Sequence, residues 1–210
     1  METKYHIEIT RKALADQFSE NALTKIIKAN IKQDRISYML GHDYIHVDGS
    51  AFEESFEYIS TQEKLIYTNM MSSNYVEARE AFGRLLHTWQ DFYSHSNYIS
   101  LWLANHQNCP PEDIIMDDPE IINHPQLQSG KNYGLIEFLS MLPVISNLII
   151  PLMPPDSHAR MNLDGPSSSP KFSYAYWAAL KRTKKAYEQI NQQLMDMRAS
   201  ENIISHFNDK

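Results

Sequence analysis

Three residues of one stretch, AFGRLLHTWQDFYSHSNYISLW, are spaced to act together: His87, Asp91 and His95, at i, i+4 and i+8. In a helix each step of four residues turns only about 40° and climbs about 6 Å, so the three side chains form one narrow stripe. Phe82, Leu85, Leu86, Trp89, Phe92 and Tyr93 give the same stretch the three- and four-residue rhythm of a buried helix. The polar stripe therefore runs through the apolar side. Desolvating two imidazoles and a carboxylate costs several kcal/mol unless each finds a partner. A metal ion is the simplest single partner for all three, and neutral imidazole with carboxylate suits zinc. The competing reading is a hydrogen-bonded His–Asp–His ladder that only stiffens a bundle.

The elements that must position this stripe read as helices. Tyr5 to Phe18 forms a first helix with Ile9, Ala13 and Leu14 on its apolar face, Thr3 as its cap and His6 in its first turn. Asn21 to Ile36 forms a second, with Asp34 near its end. The glycine-punctuated connection SYMLGHDYIHVDGSAF then carries His42, Asp43, His46 and Asp48, and Ser50 is placed to cap a helix from Phe52 to Met70. The central helix is expected to run from about Tyr75 to Asn105. Residues 106–130, rich in Pro, Asp and Asn, read as a long surface loop. Leu135 to Met153 is the most apolar stretch; it reads as a core helix kinked at Pro143 and Pro151, with a membrane-touching surface as the livelier alternative. A turn-rich stretch with His158, Asn162 and Asp164 precedes a last long helix, Ser173 to Arg198, and 199–210 reads as a frayed tail. Together these predict one all-α domain over 1–210, a multi-helix bundle. The candidate ligands and catalytic carboxylates, taken segment by segment, are His6, Asp34, Asp43, His46, His87, Asp91, His95, His158 and Asp164.

Composition narrows the chemistry. Nine histidines in 210 residues are about double the usual share. A formal net charge of -7 disfavours a nucleic-acid binder that works through a basic face. Cys109 is the lone cysteine, so neither an intrachain disulfide nor a cysteine zinc site is open to the chain. The N-terminus METKYHIEITRKAL lacks a signal peptide's apolar stretch, which leads to the expectation of a cytoplasmic protein as given, or one already trimmed. No run reaches about 18 apolar residues, so no transmembrane segment is expected.

YHIEITRKAL, HVDGSAFEES, LLHTWQDFYSHSNY and HARMNLDGPSSS, in this order over about residues 5 to 180, resemble the pattern of Het-C-type proteins, which share a superfamily with zinc-dependent phospholipases C and zinc-dependent single-strand nucleases. The resemblance implies an all-helical enzyme holding two to three zinc ions in a cleft. By motif position Asp91 bridges two zincs. His87 and His46 join one of them with an upstream carboxylate, Asp34 ahead of Asp43; His6 joins the other; His95, His158 and Asp164 hold the third. The chain departs from the secreted members in beginning with Met1 where they ligate through a processed Trp, which leaves the Met1 amine as a substitute or that zinc absent. It also places Asp164 six residues after His158, with Asn162 at i+4. The implied activity is hydrolysis of a phosphate ester, phospholipase C-like on a lipid head group, with metal-activated water and with Asp34 or Asp43 orienting or deprotonating it. Peripheral membrane contact accompanies that reading. The rivals are a zinc-dependent nuclease and a non-catalytic Het-C-like protein with a structural metal.

Overall fold

The computed structural model describes residues 1–35, 41–140, 142, 145–197 and 201–210, and among them the regular structure is helical, with no strand and only the isolated bridges Ser96–Ser129 and Lys131–Ser157. In chain order the helices are α1 (Thr3–Leu14), α2 (Glu20–Ile31), α3 (Asp43–His46), α4 (Phe52–Met71), α5 (Tyr75–His95), α6 (Tyr98–Asn105), α7 (Pro119–Ile122), α8 (Leu135–Ser140), α9 (Ser146–Ile149), α10 (His158–Met161), α11 (Phe172–Asp196) and α12 (Glu201–Asn208). The chain is thus an all-α multi-helix bundle. No helix among the described residues is long and apolar enough to cross a membrane.

Helix α5 is the axis, because it is buried on nearly every side and other helices must cover it. α2, α4 and α11 pack along it, and α1 bridges α2 and α11. Gly83 permits the closest crossing: a Cβ there would overlap the Ile26 carbonyl and lie 2.8 Å from Ala29 Cβ. Ser19 starts α2 by accepting the Ala22 N–H at 3.1 Å, satisfying one of the orphan amides of a helix start. Two apolar cores result. One gathers Leu23, Ile26, Phe82, Leu86 and Ile190; the other gathers Phe92, Tyr98, Trp102, Ala175 and Ala179. Between them along α5 and α11 lies a polar layer that includes His87, Gln90, Asp91 and Thr183, all buried. That layer carries the site.

Several elements differ from the sequence expectation, each for a local reason. The central helix does not continue to Asn105: it ends at His95, where Ser96 turns extended (ψ 164°) and bridges to Ser129. Thr3 lies inside α1 and donates its hydroxyl to Asp34 (3.1 Å) instead of capping. Ser50 does not cap α4; with φ at 59° it exchanges hydrogen bonds with Ser129 at 2.8 and 3.1 Å. α2 stops at Ile31 and passes into a 3-10 turn, Lys32–Asp34; Ile36 lies outside the described residues, as do Pro143 and Arg198.

Residues 106–130 are not a simple surface loop. Ile114 and Ile121 are buried, and the hydroxyls of Tyr93 and Tyr98 donate to the carbonyls of Met116 (2.5 Å) and Ile115 (2.7 Å). Residues 199–210 are not a frayed tail, since α12 buries Phe207 completely and Arg79 Nε donates to the Phe207 carbonyl at 2.9 Å. Among the described residues of 135–153 the regular elements are α8, α9 and the 3-10 turn Ile150–Leu152 in place of one kinked core helix, with Leu135, Leu148 and Leu152 turned outward.

Candidate metal centre

The polar layer brings the predicted residues together from six parts of the chain. Asp91, fully buried on α5, is the hub. Its Oδ1 lies 3.2 Å from His6 Nε2 of α1, and its Oδ2 lies 3.0 Å from both His46 Nδ1 of α3 and His87 Nε2 one turn earlier. His87 Nε2 is also 3.1 Å from His46 Nδ1 and 3.7 Å from Asp34 Oδ1. Around the end of α5, His95 Nε2 lies 3.2 Å from Asp164 Oδ1, and His158 Nε2 lies 3.9 Å from Asp164 Oδ2. Ligand-capable atoms fall within 4.8 Å of one another in three trios: His6, Asp34 and His87; His46, His87 and Asp91; Asp48, His95 and His158.

These trios differ from the partition the resemblance implies. Asp34 groups with His6 and His87, whereas the resemblance placed it with His87 and His46. Asp43, the alternative upstream carboxylate, belongs to none of the trios and is exposed on α3, where its backbone carbonyl accepts the Asp48 N–H. Asp48 is the residue that sequence reasoning left out. It stands in the HVDG stretch two positions after His46, and its Oδ1 lies 2.9 Å from His158 Nδ1 and 3.3 Å from His95 Nδ1. The signal for it was present, but only the turn at Val47 separates it from the outward Asp43. Val47 is buried at φ 58°, a left-handed conformation that a β-branched residue rarely adopts, and it turns the chain so that His46 and Asp48 both face inward.

The hydrogen bonds around the rings fix where their protons lie. Gln90 Nε2 donates to Thr10 Oγ1 (3.2 Å) and to Thr183 Oγ1 (3.1 Å), and Thr183 donates its own hydroxyl proton to Ala179 O (2.8 Å). Gln90 Oε1 must therefore face Asn30 Nδ2 (3.0 Å) and His6 Nδ1 (2.6 Å), so His6 donates from Nδ1 and keeps a lone pair on Nε2. The same polarity repeats. His87 Nδ1 faces Asn30 Oδ1 (3.3 Å), His95 Nδ1 faces the His46 carbonyl (2.8 Å), and His158 Nδ1 faces Asp48. His6 and His87 thus turn Nε2 lone pairs toward the Asp91 oxygens, acceptor against acceptor, an arrangement that calls for a cation between them, while the Nε2 atoms of His95 and His158 face Asp164. His6 Nε2 and His46 Nε2 are buried without a hydrogen-bond partner. Imidazoles whose outer nitrogen donates to a carbonyl or carboxylate are how proteins orient metal-binding histidines, and the inward set of imidazole nitrogen and carboxylate oxygen fits zinc. In this assignment the His46 carbonyl holds the outer N–H of His95 and Asp48 that of His158, while Asp164 is the inward carboxylate.

One cation of the chain already stands there. The Met1 ammonium lies 2.7 Å from Asp91 Oδ1, 3.0 Å from Asp164 Oδ1 and 3.1 Å from His95 Nε2. Burial opposes its charge, but Asp164 and Asp91 outweigh burial and push the amine up to about 11. Burial would raise the Asp91 carboxyl, yet the ammonium, His87, His95 and His6 hold it well below the ordinary range. Asp164 and Asp48 are likewise held low against burial, the first by the ammonium and His95, the second by His158 and His95. Burial pushes His87 down to about 4 against the pull of Asp91, so it is a neutral imidazole at pH 7. His95 moves the other way: burial and the ammonium oppose its charge, but Asp91, Asp48 and Asp164 raise it well above its usual value.

Gly130 knits the far trio together. Its N–H donates to the His95 carbonyl (3.0 Å), its own carbonyl accepts the Gly49 N–H (2.7 Å), and a Cβ there would stand 2.6 Å from His158 Cα. Only a residue without a side chain lets the three ligand-bearing segments meet.

The model of the VWA7 N-terminal domain family matches residues 3–126, more than half of the chain, and the chain belongs to that family. The matched span holds His6, Asp34, His46, His87, Asp91 and His95 and ends before His158 and Asp164. No curated protein and no solved structure shows a significant match to the chain.

Proposed function

We propose that this member of the VWA7 N-terminal domain family is a zinc-dependent phosphoric ester hydrolase of phospholipase C-like type, as the resemblance to Het-C-like proteins implies. The observation that carries the reading is the gathering of four imidazole Nε2 atoms from separate elements around Asp91 and Asp164, with the His6 and His87 lone pairs aimed at the buried Asp91 carboxylate. His6, Asp34, His46, His87 and Asp91 would hold metal on one side, and His95, His158 and Asp164 on the other. Zinc bound by such a set supplies positive charge for phosphoryl oxygens and acidifies water. Asp34 is the carboxylate placed to orient that water or take its proton: its side chain is 28% exposed, against 1% for Asp91, and Thr3 fixes one of its oxygens. Gln90, Asn30 and Asp48 keep the rings in the tautomers that bind. A phospholipid head group suits the chain better than a nucleic acid, because the net charge is -7 and Leu135, Ile136, Leu142, Leu148 and Leu152 are exposed.

One observation favours a second reading, a non-catalytic protein: the Met1 ammonium satisfies Asp91 and Asp164 without a metal. Metal analysis of the purified protein, paired with release of p-nitrophenol from its phosphorylcholine ester, separates the two. About two to three zincs per chain with chelator-sensitive turnover that Asp91→Ala abolishes supports the hydrolase. One zinc or none, with no turnover after zinc loading, overturns it.

A further inference from the structure

The exposed apolar surface is concentrated in one segment outside the site. Tyr133, Leu135, Ile136, Leu142, Leu148 and Leu152 are exposed, with Leu135, Leu148 and Leu152 at 75%, 73% and 83%. Among the described residues the other exposed large apolar side chains, Leu65, Met71, Val76, Ile115, Met195 and Met197, lie elsewhere in the chain. Between 132 and 155 the one formally charged side chain is Glu137, and it is turned inward: 1% exposed, it accepts the Ala159 N–H at 2.5 Å and the Tyr133 N–H at 3.4 Å. The outer face of this segment therefore presents no charge of its own.

The face is continuous with the candidate metal centre and with a cationic hollow. Ala159, gripped by Glu137, follows His158, and the His158 N–H donates to the Lys131 carbonyl at 2.9 Å. Beside the segment lies a polar hollow lined by Pro155, Arg160, Ser168, Ser169 and Lys171, with no acidic residue in its lining. Arg160 Nη1 donates to the Met153 carbonyl at 3.0 Å, which ties this cation to the apolar run. The nearby acid, Asp156, is engaged by Lys131 and Tyr133 at 3.0 and 2.8 Å. A neutral apolar face bordered by arginine and lysine matches the two layers of an anionic membrane surface, acyl boundary and head groups.

We propose that Leu135, Leu148 and Leu152 dock this protein on a lipid surface, with Arg160 and Lys171 at the level of anionic head groups. Delivery of substrate to the centre rests on the hydrolase reading; docking itself does not. The test is flotation of the full chain with vesicles of phosphatidylcholine alone and of phosphatidylcholine with phosphatidylglycerol. The protein is expected to float, more strongly with the anionic lipid. Leu148→Asp with Leu152→Asp is expected to lower the partition by at least about tenfold, with unchanged circular dichroism and zinc content. Arg160→Gln with Lys171→Gln is expected to remove only the gain from anionic lipid. Docking is overturned if the native chain stays with the bare buffer fraction, or if the paired aspartate variant floats equally well. A dimer that the aspartate variant dissolves, with no flotation, assigns the face to a second copy and overturns docking too. Flotation without turnover of the soluble phosphorylcholine ester keeps docking and drops the hydrolase; turnover without flotation does the reverse.

Discussion

Replacing Asp91 by asparagine is the sharpest probe of the centre, because it keeps the shape and removes the charge. Asp91 Oδ1 holds the Met1 ammonium at 2.7 Å, and Oδ2 stands 3.0 Å from both His46 and His87. In the metal-free variant the buried ammonium keeps only Asp164, at 3.0 Å, as a charged partner. Removing one partner of a buried ion pair costs about 3–5 kcal/mol, and the surviving Asp164 places this case near the lower end, at about 3 kcal/mol. For a chain of this size that corresponds to a fall in Tm of about 6–12 °C, within the stability a folded domain has to spare. The measurement is calorimetry in chelator, paired with zinc content after dialysis. Asp91 is also the hub of the near ligand set, so Asp91→Asn is expected to lose more than one zinc. A variant with native Tm in chelator and undiminished zinc would refute both the ammonium pairing and the bridging role.

Four further outcomes are expected. Gln90→Leu removes the acceptor that holds the His6 tautomer and should weaken zinc affinity by about 10–100-fold while the fold persists, as read by competition with a chromophoric chelator; undiminished affinity would contradict the proton assignment. Gly130→Ala places a Cβ 2.6 Å from His158 Cα, so zinc content should fall by the far site alone, with the near set still loaded. In chelator, stability should decline as pH falls from 6.5 toward about 4, since the unfolded chain protonates His87 at 6.5 and the folded chain does so only near 4; the loss by pH 4 is about 3 kcal/mol, measurable by denaturant titration. His95, raised above its usual value, acts in the opposite sense only above that window, where its added stability fades as pH rises. Phe207→Ala, at a fully buried position, should cost about 3–5 kcal/mol in urea unfolding, whereas a loose tail would show no change.

The helices that carry the site were legible from apolar spacing, because α5 and α11 are long enough for their pattern to outweigh local noise. What spacing could not reveal is where a helix stops when its apolar rhythm continues. Ile99 and Trp102 extend the pattern of α5, yet the chain breaks at Ser96, since Asn97 donates its backbone N–H to Gln128 O (2.9 Å) and its side chain to Gln126 O (2.9 Å). Those partners are thirty residues away in sequence and enter only on folding. The upstream carboxylates show the same limit. Asp43 is nearer to His46 in the chain, but α3 turns it outward, while Asp34 and Asp48 arrive through a 3-10 turn and a left-handed residue that composition does not encode. Apolar content likewise misplaced Leu135, Ile136, Leu142, Leu148 and Leu152, where hydrophobicity marks surface and not core.

A single primary amide sets the direction in which this cluster's protons run. Were the Gln90 side chain rotated end for end, with Asn30 turned to match, its NH2 would meet His6 and force that ring to carry its hydrogen on the opposite nitrogen, donating to Asp91. The His6 and His87 acceptors would then be quenched from within, and the near set would lose its two imidazole lone pairs to Asp91. Thr183 forbids the rotation, because its hydroxyl hydrogen is committed to the Ala179 carbonyl and the oxygen can only receive. The appetite of the pocket for metal is thus governed by a threonine on another helix, whose hydroxyl meets the amide and not the Asp91 carboxylate.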